Sequence, residues 1–498
     1  MGLIEFIRGV IRRMFQDDAK SKFGVTQVAS SGMNAAILDW LNTYRGNPPW
    51  LKVYADSNDP VKTIGFAKTV CSETARLVTL AIGINVSGGA RGTWLQKQVD
   101  KSLYPRLRSW VEYGAACGTV IFKPNGHGID VVTPDRFMVT ECDSNHKITG
   151  IVFQDSYANG DDHFTKLEYH RFRKVVIAMP DGTGSTERTV YQISTKTFFS
   201  KDAGTIGREI PITDTKWADI QPEVQIVKNN DDRIDSMLFG VFTMPMANSI
   251  DFDSPLGMSI FADAMQEMED LDVGYSRNAE EIDNSNTIEL LDDALIQMDG
   301  KKVKNSGRIH LPSHVKNVFG NGVETFYQQI DRPLKTDMRK IGINQLLSFI
   351  GFKCGYSDGY FVFDNQHQMA TATQVEADDR RTIQLIKDIR DNLRSAMDDT
   401  IYAMSVFADL YDLAPAGTYK TDYSFGDITY NYEEDRTRWY QLMIQGVVPK
   451  WMYLVKFEGF SEDEAKAVVA ETEQASEQQQ LFSQIDQQQK AGQKEGNK

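Results

Sequence analysis

Cysteine is scarce in this chain: Cys71, Cys117, Cys142 and Cys354 are the four among 498 residues. None forms a CxxC pair, so the sequence offers neither a disulfide framework nor a zinc-binding spacing, and its free thiols suit a reducing cytoplasm. Histidine is scarce too, at seven. His310 and His314 stand four apart, but Pro312 between them breaks the helical frame of a zinc motif, and no Glu follows His310. Long apolar runs are missing; nothing approaches the ~18 residues of a membrane span. The glycine-rich stretch Ser87-Gly88-Gly89-Ala90-Arg91-Gly92 lacks the Gly-Lys-Ser/Thr of a nucleotide loop and reads as a plain turn. Gly182-Thr183-Gly184-Ser185 reads as a hairpin tip. There is no Gly-x-Ser-x-Gly elbow and no His-Glu-x-x-His. Asp251-Phe252-Asp253 opens like a calcium loop, but Pro255 and the missing terminal Glu break it. The chain therefore reads as a non-enzyme with no cofactor and no metal.

Positive charge is in deficit. Lys and Arg number 54 against 69 Asp and Glu, a net charge of −15. Duplex binding relies on Lys and Arg against phosphate, so any contact with DNA is expected to be weak and non-specific. The first residues, Met1 to Phe15, are apolar and basic. Charges interrupt the apolar run, which argues against a signal peptide, and Phe6 stands where myristoylation needs Ser or Thr. A short amphipathic helix at a protein interface fits them better than a membrane contact.

What is present is enough apolar residue, 41%, for real cores, in a length that suggests two or three domains. Helices are predicted over Ala35–Tyr44, over Ile64–Ala81 with Ala67, Val70, Cys71, Thr74 and Leu77 on one face, and over Leu95–Gly114. From Val120 the pattern turns to strands, at Ile129–Val132, Ile148–Phe153, Lys174–Ala178 and Thr189–Ile193. Asp253-Ser254-Pro255-Leu256 reads as a helix start. That helix carries Phe261, Met265, Met268, Tyr275, Ala279 and Ile282 on one face and Asp263, Glu267 and Asp270 on the other. A compact excursion follows, with strands at Thr287–Ile296 and Ile309–Pro312 around the basic turn Lys301, Lys302, Lys304 and Arg308. Helix returns over Pro333–Ile350.

A long helix is predicted from Thr373 to Asp412. Thr373 and Glu376 are spaced as a capping box, and Ile386, Ile389, Leu393, Met397, Ile401, Met404, Ala408 and Tyr411 form one apolar stripe. Unbroken, it spans roughly 60 Å, a rod that suits an assembly better than a small globule. The chain is polar after Tyr419. Three short helices follow: Glu433–Gln445, one from Pro449, and one boxed by Ser461 and Glu464. From Gln474 the residues are mostly Gln, Glu and Lys and cannot bury a core. The class is α+β.

Several separated blocks resemble the portal proteins of tailed bacteriophages, in the branch common in phages and prophages of Gram-positive hosts. They are Ile341-Gly342-Ile343-Asn344-Gln345-Leu346-Leu347-Ser348, Gly351-Phe352-Lys353-Cys354-Gly355, Tyr360-Phe361-Val362-Phe363-Asp364 and Thr371-Ala372-Thr373-Gln374-Val375-Glu376-Ala377-Asp378. Ser254-Pro255-Leu256-Gly257 and Ser276-Arg277-Asn278-Ala279-Glu280 resemble the family as well. The resemblance implies a portal-type protomer. Residues 1–250 are then an N-terminal segment and α/β wing, 251–285 a first stem helix, 286–328 a clip and 329–352 a second stem helix. Residues 353–372 hold a tunnel loop, 373–428 a long wing helix and its return, 429–473 a helical crown and 474–498 a disordered tail.

It also implies a virion protein assembled in the host cytoplasm. About twelve copies ring one capsid vertex, double-stranded DNA passes through the ring, and large terminase, a head-completion adaptor, and capsid and scaffolding proteins dock on it. The alternative is a non-channel structural protein of the phage head, such as a minor capsid or scaffold-like component. In the portal reading, Gly355, Tyr356, Ser357, Asp358, Gly359 and Tyr360 project into the channel; otherwise they form a surface turn packed by the two tyrosines. Asp263, Glu267 and Asp270 line the channel or face solvent, and Lys301, Lys302, Lys304 and Arg308 dock a partner or form a solvated turn.

Overall fold

The computed structural model describes residues 17 and 19–470, apart from 56–60, 126–127, 179–184, 203, 227–233, 235, 285–287, 293–314, 319–326, 331–334, 364–371, 427–431, 446, 459 and 463. The basic start Met1–Phe15, the turn at Lys301, Lys302, Lys304 and Arg308, His310, His314, the side chains of Thr373 and Glu376, and the tail from Gln474 lie outside the described residues. Contacts divide the chain into two compact units, Met1–Phe425 and Gly426–Lys498.

The first unit opens with helices α1 (Ser31–Tyr44), α2 (Trp50–Tyr54) and α3 (Phe66–Val78), then strand β1 (Gly83–Ser87) and helices α4 (Gly89–Gln98) and α5 (Leu107–Cys117). Ser30 caps α1, its hydroxyl accepting from the Met33 amide at 3.2 Å. The single helix expected over Leu95–Gly114 is in fact α4 and α5, joined by a π-type turn and a 3₁₀ turn that contains Pro105. Proline lacks the amide that would continue the ladder.

Strands β2 (Thr119–Asn125), β3 (Gly128–Val132), β4 (Phe137–Cys142), β5 (Ile148–Asn159), β6 (Asp162–Ala178), β7 (Ser185–Ser200), β8 (Arg208–Ile210), β9 (Glu223–Ile226) and β10 (Gly240–Thr243) follow. They form two antiparallel sheets, ordered β10-β2-β3 and β4-β5-β6-β7-β8, with β9 also on β7. The strands expected at Lys174–Ala178 and Thr189–Ile193 are only parts of β6 and β7, which run 17 and 16 residues.

Asp253–Leu256 does not begin a helix. The segment stays extended because its neighbours claim its backbone: the Gly257 amide donates to Thr119 Oγ1 at 2.8 Å and the Ile260 amide to the Ala115 carbonyl at 3.0 Å. Leu256, Met258, Ile260 and Phe261 are buried there, and the helix α6 spans Met265–Asn284. Strands β11 (Ile288–Asp292), β12 (Val315–Val318) and β13 (Tyr327–Ile330) form a small sheet, with β11 parallel to β12 and antiparallel to β13. Helices α7 (Thr336–Lys353) and α8 (Ala372–Leu410) and strand β14 (Lys420–Ser424) complete the unit. The polar return after Tyr419 is thus partly a strand, β14, paired antiparallel with β1. In the second unit, α9 (Tyr432–Ile444) and α10 (Lys450–Glu458) precede a helical stretch at 464–470.

The α8 stripe is buried from Ile386 through Ala408, as its periodicity predicts, and only Tyr411 is exposed. The cover comes from the chain's own β10, β2, α3 and α4. From Ile386 to Ala408 the stripe of α8 therefore serves the chain's own core. Buried Arg390 of α8 donates to the carbonyls of Leu77 and Val78 at 2.8 and 3.0 Å, occupying the end of α3. Strand β10 approaches α8 so closely that a Cβ at Gly240 would lie 2.0 Å from the Ala396 carbonyl oxygen and 2.2 Å from Thr400 Oγ1. Gly240→Ala is expected to cost about 1–3 kcal/mol by overpacking. Urea unfolding checks it; an unchanged midpoint would mean that the two elements separate freely.

Candidate functional site

Helices α6 and α7 lie side by side and are joined by ion pairs. Lys353 Nζ meets Glu267 Oε1 at 2.6 Å, and Arg339 pairs with Glu281, which also accepts the Lys335 amide at 3.0 Å. Leu347 and Ile350 are buried. Another face of α7 is not: Met338 is 72% and Ile341 68% exposed, and Phe349 and Phe352 continue the line. With Gln345 these residues follow a three-four spacing, so one apolar stripe runs along the outside of the helix. Tyr275 and Ile282 of α6 are exposed as well. Gln345 interrupts the line, and the Arg381 guanidinium lies 3.8 Å from the centre of the Phe352 ring.

The acidic face expected on α6 is only partly acidic. Asp263 and Asp270 are exposed, whereas the charge of Glu267 is matched by Lys353. Burial, with the charges of Asp263 and Glu267, pushes the Cys354 thiol up. Asp272, which drew no notice in the sequence, is buried and accepts from Trp50 Nε1 at 2.9 Å and the Ile64 amide at 2.8 Å. Burial raises its carboxyl pKa against those donors.

The turn after α7 is closed. Gly355, at φ +88°, ends the helix, and the Tyr356 amide returns to the Gly351 carbonyl at 2.9 Å. Tyr356 is fully buried, its hydroxyl 2.6 Å from Thr74 Oγ1 of α3. The Ser357 amide donates to Thr382 Oγ1 at 2.9 Å, and the Tyr360 hydroxyl donates to Glu73. Phe361 stacks edge-on against Phe66 at 5.3 Å. Gly355–Tyr360 is therefore the turn packed by its two tyrosines, and the projecting tip is corrected for Tyr356, Ser357 and Tyr360. Their polar atoms are engaged inside the unit, and Gly355 serves the helix end. Asp358 stays exposed and accepts from the Ser348 hydroxyl.

A cleft of about 1060 Å³ opens beside this turn, lined by Tyr44, Arg45, Ile64, Lys68, Tyr360 and Phe361 among others. Glu73 on its wall is held below the usual carboxylate range, chiefly by hydrogen bonds from Arg76 at 2.6 and 2.8 Å. Its lowered basicity and the donors on both its oxygens make Glu73 a poor general base.

The strongest cluster of titratable groups lies elsewhere, on β6. Glu168 accepts from Lys123 at 2.6 Å, from Lys166 at 3.1 Å and from His170 Nε2 at 2.6 Å. His170 Nδ1 is 2.6 Å from the Tyr191 hydroxyl, whose oxygen accepts the Leu238 amide at 3.3 Å. The cleft does not reach it; the aromatic rings of Phe153, Phe239 and Trp217 enclose it. Through Lys123 of β2 and Glu168 of β6 it joins the two sheets. Among the described residues no group of three or more His, Cys, Asp and Glu side chains is arranged to hold a metal, and no helix is long and apolar enough to cross a membrane. Comparison of the chain with known protein families and with curated proteins finds no match.

Proposed function

We propose that this chain is the portal protein of a tailed phage. Copies form a ring at one capsid vertex, through which double-stranded DNA is packaged and later ejected. The observation that carries the reading is the exposed stripe Met338, Ile341, Phe349 and Phe352 on α7. Ile341 and Phe352 fall in the blocks Ile341–Ser348 and Gly351–Gly355 that resemble the portal family, Met338 and Phe349 flank them, and a head-to-tail contact that covers the stripe closes into a ring where the rotation between copies allows it. The resemblance supplies the number, about twelve, and the docking partners: large terminase, a head-completion adaptor, and capsid and scaffolding proteins. The chain contributes shape and subunit packing, with exposed Asp263 and Asp270 giving the duplex nothing to grip. ATP hydrolysis belongs to the motor.

Negative-stain imaging and sedimentation of the purified protein under reducing conditions test this. Rings with an axial hole are expected. The pair Ile341→Asp and Phe349→Asp should raise the concentration needed for assembly at least ~tenfold, the equivalent of about 1.4 kcal/mol, with circular dichroism unchanged. Wild-type protein that stays monomeric at high concentration would overturn the reading.

A further inference from the structure

Asp251-Phe252-Asp253, the sequence that fails as a calcium loop, forms a rigid knob. Asn248 Oδ1 accepts the amides of Ile250 and Asp251 at 3.0 and 2.9 Å, and Asn248 Nδ2 donates to the Leu256 carbonyl at 2.9 Å. Asp251 Oδ2 accepts the Ser30 amide at 2.7 Å, tying the knob to the start of α1. On this frame Phe252 stands 82% exposed, with Asp253 exposed beside it. A large aromatic held on a rigid turn loses little entropy on docking and makes an effective anchor.

At the far end of α1, about 21 Å away along its 14 residues, lies the cleft beside Tyr360. Its chemistry is the complement of the knob. Tyr44, Ile64 and Phe361 supply apolar and aromatic walls, and Lys68 supplies positive charge, with Arg45 beside it partly engaged by Asp135 at 3.7 Å. The carboxylate on its wall, Glu73, is already neutralised by Arg76. The volume, about 1060 Å³, is ample for a phenyl ring with its flanking carboxylates.

We propose that the Phe252 knob of one copy of this chain docks in the Tyr44–Lys68–Phe361 cleft of the next. A one-way knob-to-cleft contact is heterologous, and heterologous contacts generate rings where the rotation between copies closes. The inference rests on the ring reading above and adds the surfaces that specify neighbour and direction.

The test is assembly of the full chain, followed by sedimentation and imaging. Phe252→Ala removes an exposed ring and should leave the fold intact while raising the concentration for assembly roughly tenfold. Asp253→Lys should weaken assembly at low salt, and Lys68→Asp in the same chain should restore it. A double variant, Phe252→Cys with Thr69→Cys, should give a ladder of covalent oligomers on oxidation that neither single variant gives. Rings that form normally in Phe252→Ala, with no ladder from the double variant, would overturn the knob-in-cleft contact and leave the ring reading standing. Wild-type protein that remains monomeric would overturn both.

Discussion

Glu168→Ala is expected to lower stability by about 3–5 kcal/mol, the usual cost of removing one partner from a buried charge network. The carboxylate is the common acceptor for two ammonium groups and an imidazole, and it joins β6 to β2 of the other sheet through Lys123. Without it Lys123, whose pKa burial already lowers, and Lys166 lose their carboxylate partner and are left among aromatic rings, with Phe153 under one at 4.7 Å and Trp217 under the other at 5.4 Å. Cation–π attraction of about 0.5–2 kcal/mol offsets only part of that loss. Glu168→Gln separates charge from packing. It keeps the volume, so a loss near that of Glu168→Ala identifies electrostatics, and a loss below about 1 kcal/mol would show that the network contributes little.

The same cluster sets a pH dependence. Burial alone would raise the Glu168 carboxyl; Lys123, His170 and Lys166 together hold it well below its ordinary value. Burial lowers His170, against the pull of Glu168. The hydrogen bonds agree with a neutral ring: Nε2–H donates to Glu168, and Nδ1 accepts from Tyr191, which accepts from Leu238. Both native values lie below the unfolded ones, so in acid the unfolded chain binds more protons. The stability from each group is complete above its unfolded value, 6.5 for His170 and 4.5 for Glu168, and is lost as pH falls through the native value. Urea midpoints should therefore drop from about pH 6 downward and more steeply below about pH 4, and Glu168→Gln should flatten the lower limb.

Local signals were legible where tertiary contacts agreed with them. Ala67, Val70, Cys71, Thr74 and Leu77 are buried on α3, and the capping box closes, with the Ser461 amide 3.1 Å from Glu464 Oε2. They misled where a partner distant in sequence took over the backbone or the side chain. Ser254-Pro255 carries a helix start, yet Thr119 and Ala115 hold the segment extended. Lys166, Glu168 and His170 carry no motif in the sequence, yet they are buried because each completes another's charge or hydrogen bond. Of the candidate site, the existence of helices α6 and α7 follows from periodicity, and the exposure of Met338, Ile341, Tyr275 and Ile282 does not. The closed turn did not, since two glycines and an aspartate suit a free tip as well as a helix end. The Phe252 knob was visible only as a failed motif.

Arg91→Ala should cost a further about 3–5 kcal/mol, although in sequence the residue is one letter of a glycine-rich turn. Its side chain is 1% exposed and ties α4 to the end of α8 and the segment that follows. Nε donates to the Pro415 carbonyl at 2.9 Å, Nη1 to Ser405 at 2.9 Å and Nη2 to Ala414 at 3.0 Å, and Nη2 also pairs with Asp409. A cation in the first turn of α4 is poorly placed for that helix's dipole, so its favourable field comes from the C-terminal end of α8. Alanine leaves a void of nearly a whole side chain and strips buried carbonyls of their donor. Lysine is no substitute, because a single ammonium on a flexible stem lacks the planar fork that reaches three carbonyls and a carboxylate. Asp409 decides between the two sources of the loss. Its side chain is 59% exposed, so Asp409→Asn should cost no more than about 1 kcal/mol. If Asp409→Asn destabilises as much as Arg91→Ala, the ion pair and not the carbonyl clamp holds the end of α8. If Arg91→Lys matches wild type in urea unfolding, the fork geometry is immaterial and the clamp account fails.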